Sequence, residues 1–293
     1  MLTEQRNPNS AGIDQRSTLE ILEIMNNEDA TVTGAVRQAL PAIATAIDMI
    51  TDRLRGGGRL FYVGAGTSGR LGVLDAVECV PTFSVPPEMV QGVIAGGEAA
   101  LTRSVEGAED RPEGGSNDLM ARGLTVRDAV VGIAASGRTP YVVGALIYAR
   151  HIGAGTVGIS CNSPAPVLDA ADIPIAVLVG PEILTGSTRL KAGTAQKLIL
   201  NMISTTTMIK LGKVYNNLMV DVKVSNQKLA DRARRIVSEV TGVSAEEAAA
   251  LLHQTRNEVK PAIVMALLGV SVEEARAQLE AANGMLGAVI GQR

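Results

Sequence analysis

Directly after the apolar run RLFYV (59–63) the chain reads GAGTSGRLG, so Gly64, Gly66 and Gly69 stand in G-x-G-x-x-G spacing. Glycines so placed let a strand turn sharply into a helix and bring backbone N–H groups close to an anion, so the first chemistry to consider is phosphate binding. A dinucleotide would also need an acid about twenty positions on, at the tip of the second strand, to hold the ribose hydroxyls. Here that strand runs into Ala95, Gly96 and Gly97, and Glu98 comes only after both glycines. A nucleoside triphosphate would need a Lys and a Mg²⁺-holding Ser or Thr after the last glycine, where this chain has Arg70 and Leu71. One phosphate asks only for hydroxyls and amides at the positive end of the helix, and Gly66, Thr67 and Ser68 offer them. Taken alone, the pattern also suits a tight turn with a hydroxyl cap and no ligand.

A second stretch tips the balance. IAASGRTPY (133–141) again ends an apolar run in small residues and hydroxyls, with Ser136, Gly137 and Thr139 before a helix that has Pro140 near its first turn, and Arg138 adds a cation. In an open parallel sheet, turns from neighbouring strands meet at the carboxyl edge, where ligands bind. Two hydroxyl-rich turns on one anion describe a sugar-phosphate site better than a dinucleotide site.

The elements that must position these turns follow from the apolar pattern. Residues 17–55 carry apolar positions at helical spacing and read as two helices leading into Gly56–Gly58, so 1–58 forms an N-terminal helical lead-in. Short apolar runs at 59–63, 89–95, 128–134, 155–160 and 173–179 alternate with helical stretches such as 69–79 and 140–152. That alternation predicts an α/β fold with a doubly wound, five-stranded parallel sheet, assigned to 59–225 together with a long helix over 191–210. From 226 to 293 the chain reads as helices only. GVSAEEA (242–248) and GVSVEEA (269–275) each place a Ser three residues before a Glu, a capping box in both cases, and predict a small helical domain.

Composition narrows the partners. A net charge of −3 without any basic stripe argues against nucleic acid and anionic lipid. Aromatic residues make up 2% of the chain and Trp is absent, which excludes a stacking platform for bases or an aromatic sugar cleft. Cys79 and Cys161 lack metal-ligand spacing and His151 and His253 stand far apart, so buried reduced thiols and non-catalytic histidines are expected, with no metal site. The polar N-terminus has no apolar signal region and no apolar run approaches a membrane span, so a cytoplasmic protein is expected.

The longer words are more specific. GAGTSGRLG and SGRTPY resemble the sugar isomerase (SIS) fold. Together with LTEQRNPNSAGID (2–14), LDAVECVPT (74–82), IAGG (94–97), VEGAED (105–110), VGISCN (157–162) and TGSTRLKAGTAQK (185–197), they resemble the N-acetylmuramic acid 6-phosphate etherase family across nearly the whole chain. The resemblance implies cleavage of a lactyl ether on a phosphorylated amino sugar by elimination and then hydration, without metal or redox cofactor, in amino-sugar catabolism or cell-wall recycling. It also implies a homodimer with sites near the subunit interface.

By the same match, Glu78 in LDAVECV and Glu109 in VEGAED are the catalytic pair: Glu78 the acid that protonates departing lactate and later activates water, Glu109 the base at C2. The apolar neighbours Val77 and Cys79 suit a protonated Glu78. With a helix starting near Gly69, Glu78 lies about 14 Å along it from the phosphate turn, a span that the substrate covers or a partner subunit supplies. Ser187, Thr188, Arg189 and Lys191 either complete the site with positive charge or form a capped helix start whose basic residues are solvated. Two rival functions share the fold: an aldose-ketose phosphate isomerase, and a sugar-phosphate-sensing regulator, since the resemblance extends to the glucokinase regulatory protein.

Overall fold

The computed structural model describes residues 1–224 and 226–291. They fall into two compact units, Met1–Val77 with Glu88–Ser204, and Glu78–Pro87 with Thr205–Arg293. Among the described residues no helix is long and apolar enough to cross a membrane.

The first unit opens with three short 3₁₀ turns and then α1 (Thr18–Arg55). Ser17 caps α1 in a full capping box with Glu20, which satisfies backbone N–H groups that a helix start leaves bare. Where two helices were expected there is one, running through Pro41. The reason is a disguised stripe. Val32, Val36, Ala39, Ile43, Ile47, Ile50 and Leu54 are buried at helical spacing, and the position that extends the stripe toward the N-terminus is held by buried Glu28. A carboxylate there reads as a break in the pattern until its partner is known.

Five strands follow: β1 (Leu60–Gly64), β2 (Val90–Ile94), β3 (Ala129–Ile133), β4 (Gly155–Ser160) and β5 (Ile173–Ala176). All pairs are parallel, in the order β2-β1-β3-β4-β5. Strands buried on both faces need apolar runs, and β1, β3 and β4 are buried at every residue. The helices of this unit are α2 (Gly66–Phe83, ending in the second unit), α3 (Ala99–Thr102), α4 (Pro112–Ala121), α5 (Pro140–Ile152), α6 (Pro166–Asp169) and α7 (Lys191–Lys210, likewise ending in the second unit). Phe61, Val63, Val130, Leu119, Val142 and Leu146 form the heart of one core layer. With this strand order the chain leaves β1 and β3 in opposite lateral directions, which opens a crevice beyond their carboxyl ends.

The second unit contains α8 (Gln227–Thr241), α9 (Ala245–Gln254), α10 (Val259–Leu268), α11 (Val272–Ala281) and α12 (Leu286–Ile290). Their apolar faces meet around Ala262, Ile263 and Val264 of α10, with Ile236, Val237, Leu252 and Leu279 packed about them. Both predicted capping boxes are present: Ser244 with Glu247, and Ser271 with Glu274. Ser244→Ala therefore costs about 1 kcal/mol of stability, read as a lowered midpoint in urea at unchanged slope. Lys260, nearly buried, is held by Asp221 at 2.8 Å and by the carbonyls of Gly212 and Gly284 at 3.2 and 3.0 Å. Burial lowers its pKa, and Asp221 works against that shift.

Candidate active site

The turns anticipated from sequence leave the sheet side by side. β1 and β3 are neighbours with Gly64 opposite Ile133, so the segments after them, 65–69 and 134–139, share the carboxyl edge at the crevice. α2 begins at Gly66, where φ is +52°, so the amides of Gly66, Thr67 and Ser68 have no acceptor within the helix. Thr67 is half-buried and Ser68 is buried; the Ser68 hydroxyl lies 2.9 Å from Oε1 of Gln196 on α7. In the companion turn, Ser136 Oγ accepts the Arg138 N–H at 3.2 Å, Gly137 sits at φ +72°, and Thr139 precedes α5 with Pro140 in its first turn. Arg138 is exposed.

The acidic word VEGAED comes to the same edge. Gly96 follows β2 at φ +86°, and a Cβ there would stand 2.9 Å from Val105 Cβ, so only glycine lets Val105 pack this close. The loop is tied on its other side by the Tyr141 N–H, which donates to the Glu109 carbonyl at 3.0 Å. A cleft of about 270 Å³ results, lined by Ala65, Gly66, Arg70, Ser104, Glu106 and Glu109 among others. Gly66 of the first glycine turn and Glu109 thus face one space. Glu109 and Glu106 are exposed to it, and Ser104 donates to Glu106 at 3.1 Å.

In the sequence Arg70 stands out only as the residue that breaks the triphosphate pattern. In the fold its guanidinium reaches the carbonyls of Leu101 and Arg103 at 3.2 and 3.3 Å and brings a positive charge to the rim of the cleft. Its place one turn into α2, the helix that follows the glycine turn, was the available signal.

Glu78 belongs to the second unit, on the last part of α2. The apolar surroundings expected for it are not provided by the chain itself: Cys79 beside it is buried, but Glu78 is exposed. Leu74 and Val77 on the same helix are also exposed, at 55% and 60%.

Lys191 occupies a different position from the one expected. Its ammonium is 2.6 Å from Glu28 Oε2 and 3.2 Å from the Pro181 carbonyl, with Lys191 only 3% exposed. A side chain so committed has no charge left for a ligand. Asn7 and Asn9 of the N-terminal segment also donate to Glu28, at 2.8 and 2.7 Å. Burial alone would raise the Glu28 pKa, but the bonds from Lys191, Asn9 and Asn7 outweigh it and hold the carboxyl below its ordinary value. Buried Glu182 accepts the N–H groups of Lys191 and Ala192, both at 2.9 Å, and so caps α7; burial raises its pKa against those bonds. No sequence spacing announced Glu182, because it lies on an irregular segment that only the fold brings to the helix.

Removing one partner of such a buried pair strands the other's charge. Lys191→Met should destabilise the protein by about 3 kcal/mol, read by chemical denaturation. Since the Glu28 pKa is depressed by folding, its contribution is present above the unfolded carboxylate value and is lost as pH falls through the folded one. The stability difference between wild type and Glu28→Gln should therefore shrink in acid.

The parallel sheet with hydroxyl-bearing turns at its switch point defines a domain of the SIS class. Residues 42–150 match the glucokinase regulatory protein N-terminal SIS domain, and 216–261 match the C-terminal lid domain of glucokinase regulatory protein. A phosphoheptose isomerase from Francisella tularensis superimposes on 66% of this chain and all of its own with a TM-score of 0.53 at 18% identity, a likeness of fold. Far nearer are proteins named N-acetylmuramic acid 6-phosphate etherase. That of Pectobacterium atrosepticum is 58% identical over 286 residues, covering 98% of this chain and 94% of the relative. That of Cronobacter sakazakii is 58% identical over 290 residues, covering 99% and 98%. The chain belongs to the N-acetylmuramic acid 6-phosphate etherase family.

Proposed function

We infer that the protein cleaves the D-lactyl ether of N-acetylmuramic acid 6-phosphate with water, giving N-acetylglucosamine 6-phosphate and D-lactate. The observation that carries this is 58% identity to etherases across 99% of the chain. It is supported by a cleft that joins the anion-binding turn to Glu109.

An unactivated ether resists water. In the open-chain sugar, however, the C1 aldehyde acidifies the proton on C2, and a base there starts an elimination. Glu109 takes the C2 proton, the C–H pair forms the C2–C3 double bond, and the C3–O bond breaks. Glu78 gives its proton to the departing lactate oxygen. In the second half Glu78 takes a proton from water, hydroxide adds at C3, and Glu109 returns a proton to C2. Both carboxyls end as they began, as general acid–base catalysis requires. The 6-phosphate is held by the amides and hydroxyls of Gly66, Thr67, Ser68, Ser136, Gly137 and Thr139, with Arg70 and Arg138 supplying charge.

The active form on this reading is a homodimer working in the cytoplasm on imported or recycled wall sugar. Exposed Leu74 and Val77 on α2 support it, since a partner contact that covers them would also enclose Glu78. The test is a D-lactate assay on N-acetylmuramic acid 6-phosphate, with glucosamine 6-phosphate as the control for isomerisation. Release of lactate is expected. Isomerisation without lactate, or binding without turnover, would return the protein to one of the rival functions.

A further inference from the structure

α7 does more for the phosphate turn than pack behind it. A Cβ placed on Gly193 would lie 3.6 Å from Thr67 Cγ2, so the start of α7 runs in close contact with the 64–69 turn. One helical step on, Gln196 is fully buried, and its Oε1 is 2.9 Å from Ser68 Oγ. The other end of the same carboxamide, Nε2, is buried with no hydrogen-bond acceptor among the described residues. A fully buried amide donor left bare is rare and costly, more so than an under-filled carbonyl.

The pairing as it stands also points Ser68 the wrong way for an anion. With Oε1 as acceptor, the Ser68 proton is directed at Gln196, and the hydroxyl offers only lone pairs to the outside. Phosphate oxygens need donors. The two ends of a carboxamide have nearly the same shape, so its rotation by half a turn changes hydrogen bonding without changing packing. Rotated, Nε2 donates to Ser68 Oγ, its unmet donor is satisfied, and the Ser68 proton is released to point outward.

We propose that Gln196 is a positioning residue for the phosphate of the substrate: its carboxamide turns to donate to Ser68, which frees the Ser68 hydroxyl to donate to a phosphate oxygen. This builds on the proposed reading of the 64–69 turn as the phosphate anchor. The role is one of orientation, since Gln196 is buried behind the turn and reaches the ligand only through Ser68. It assigns a use to the AQK portion of TGSTRLKAGTAQK that the basic residues of that motif do not explain.

The test is a double-mutant cycle in the full-length protein, with N-acetylglucosamine 6-phosphate as the calorimetric probe and KM and kcat measured on N-acetylmuramic acid 6-phosphate. Gln196→Met keeps the shape and removes the donor; Gln196→Glu replaces the donor with an acceptor that holds the Ser68 proton. Gln196→Met should weaken the probe about tenfold and Gln196→Glu more, with KM rising by a larger factor than kcat falls. In a Ser68→Ala background the Gln196→Met effect should vanish, because nothing remains to orient. Equal weakening by Gln196→Met with and without Ser68, or no weakening at all, overturns the proposal while leaving the anchor intact. If Ser68→Ala itself leaves probe affinity unchanged, the reading of the turn as a phosphate anchor fails and the role of Gln196 falls with it. Should Gln196→Glu not fold, the near-isosteric Gln196→Met carries the cycle alone.

Discussion

Glu109→Gln is expected to lower D-lactate release by about 10³-fold, within the span that a positioned base contributes, and to abolish exchange of the C2 hydrogen with solvent. The amide keeps the size of the side chain and its hydrogen-bonding reach while removing the ability to take a proton. Because Glu109 is exposed in the cleft and its backbone is tied to Tyr141 through the carbonyl, the substitution leaves the loop in place. Sugar-phosphate affinity should change little, since on the proposed reading the turns, and not Glu109, hold the phosphate. The measurement is proton NMR in deuterated water with the product N-acetylglucosamine 6-phosphate as exchange substrate. Wild-type exchange in the variant would remove Glu109 as the base, and the neighbouring Glu106, which lines the same cleft, would be the next residue to replace.

Glu78→Gln is expected to separate the two halves of the elimination. Lactate release should fall by about 10²- to 10⁴-fold for want of an acid to protonate the leaving oxygen. Exchange at C2 should continue, because that step belongs to Glu109 and uses a proton already acidified by the aldehyde. A variant that loses lactate release and keeps exchange has lost the acid and kept the base, a signature that unfolding cannot imitate. Unchanged turnover in Glu78→Gln would refute the role given to Glu78. If a partner subunit encloses Glu78, dissociating the dimer by substituting Leu74 and Val77 with charged residues should reduce turnover along with assembly.

Much of the framework was legible because it depends on local chemistry. Apolar runs marked the five strands to within a residue or so at most ends, Pro140 marked the first residue of α5, and the Ser–Glu spacing marked two capped helices, since each signal lies within a few residues of what it specifies. The misreadings share one cause, a polar residue whose partner is distant in sequence. Glu28 interrupted the α1 stripe and Lys191 looked like a free cation, yet each is explained by the other across the fold at 2.6 Å. Glu78 reads differently in sequence and in structure for a related reason. Apolar neighbours along the chain, Val77 and Cys79, do not make an apolar environment in space, because one of them faces solvent. The cleft itself lay between these cases. Its glycines and hydroxyls were visible as words, while Arg70 and the buried donor of Gln196 acquire meaning only once α2 and α7 are placed.

The ether should break on the sugar side, by elimination at C2–C3 followed by addition of water. Turnover of N-acetylmuramic acid 6-phosphate in ¹⁸O-labelled water, with both products analysed by mass spectrometry, tests it directly. One ¹⁸O is expected on the C3 hydroxyl of N-acetylglucosamine 6-phosphate and none in D-lactate. Label in D-lactate, with the original oxygen kept on C3, would mean that water attacks the lactyl carbon and would rule out elimination at C2–C3.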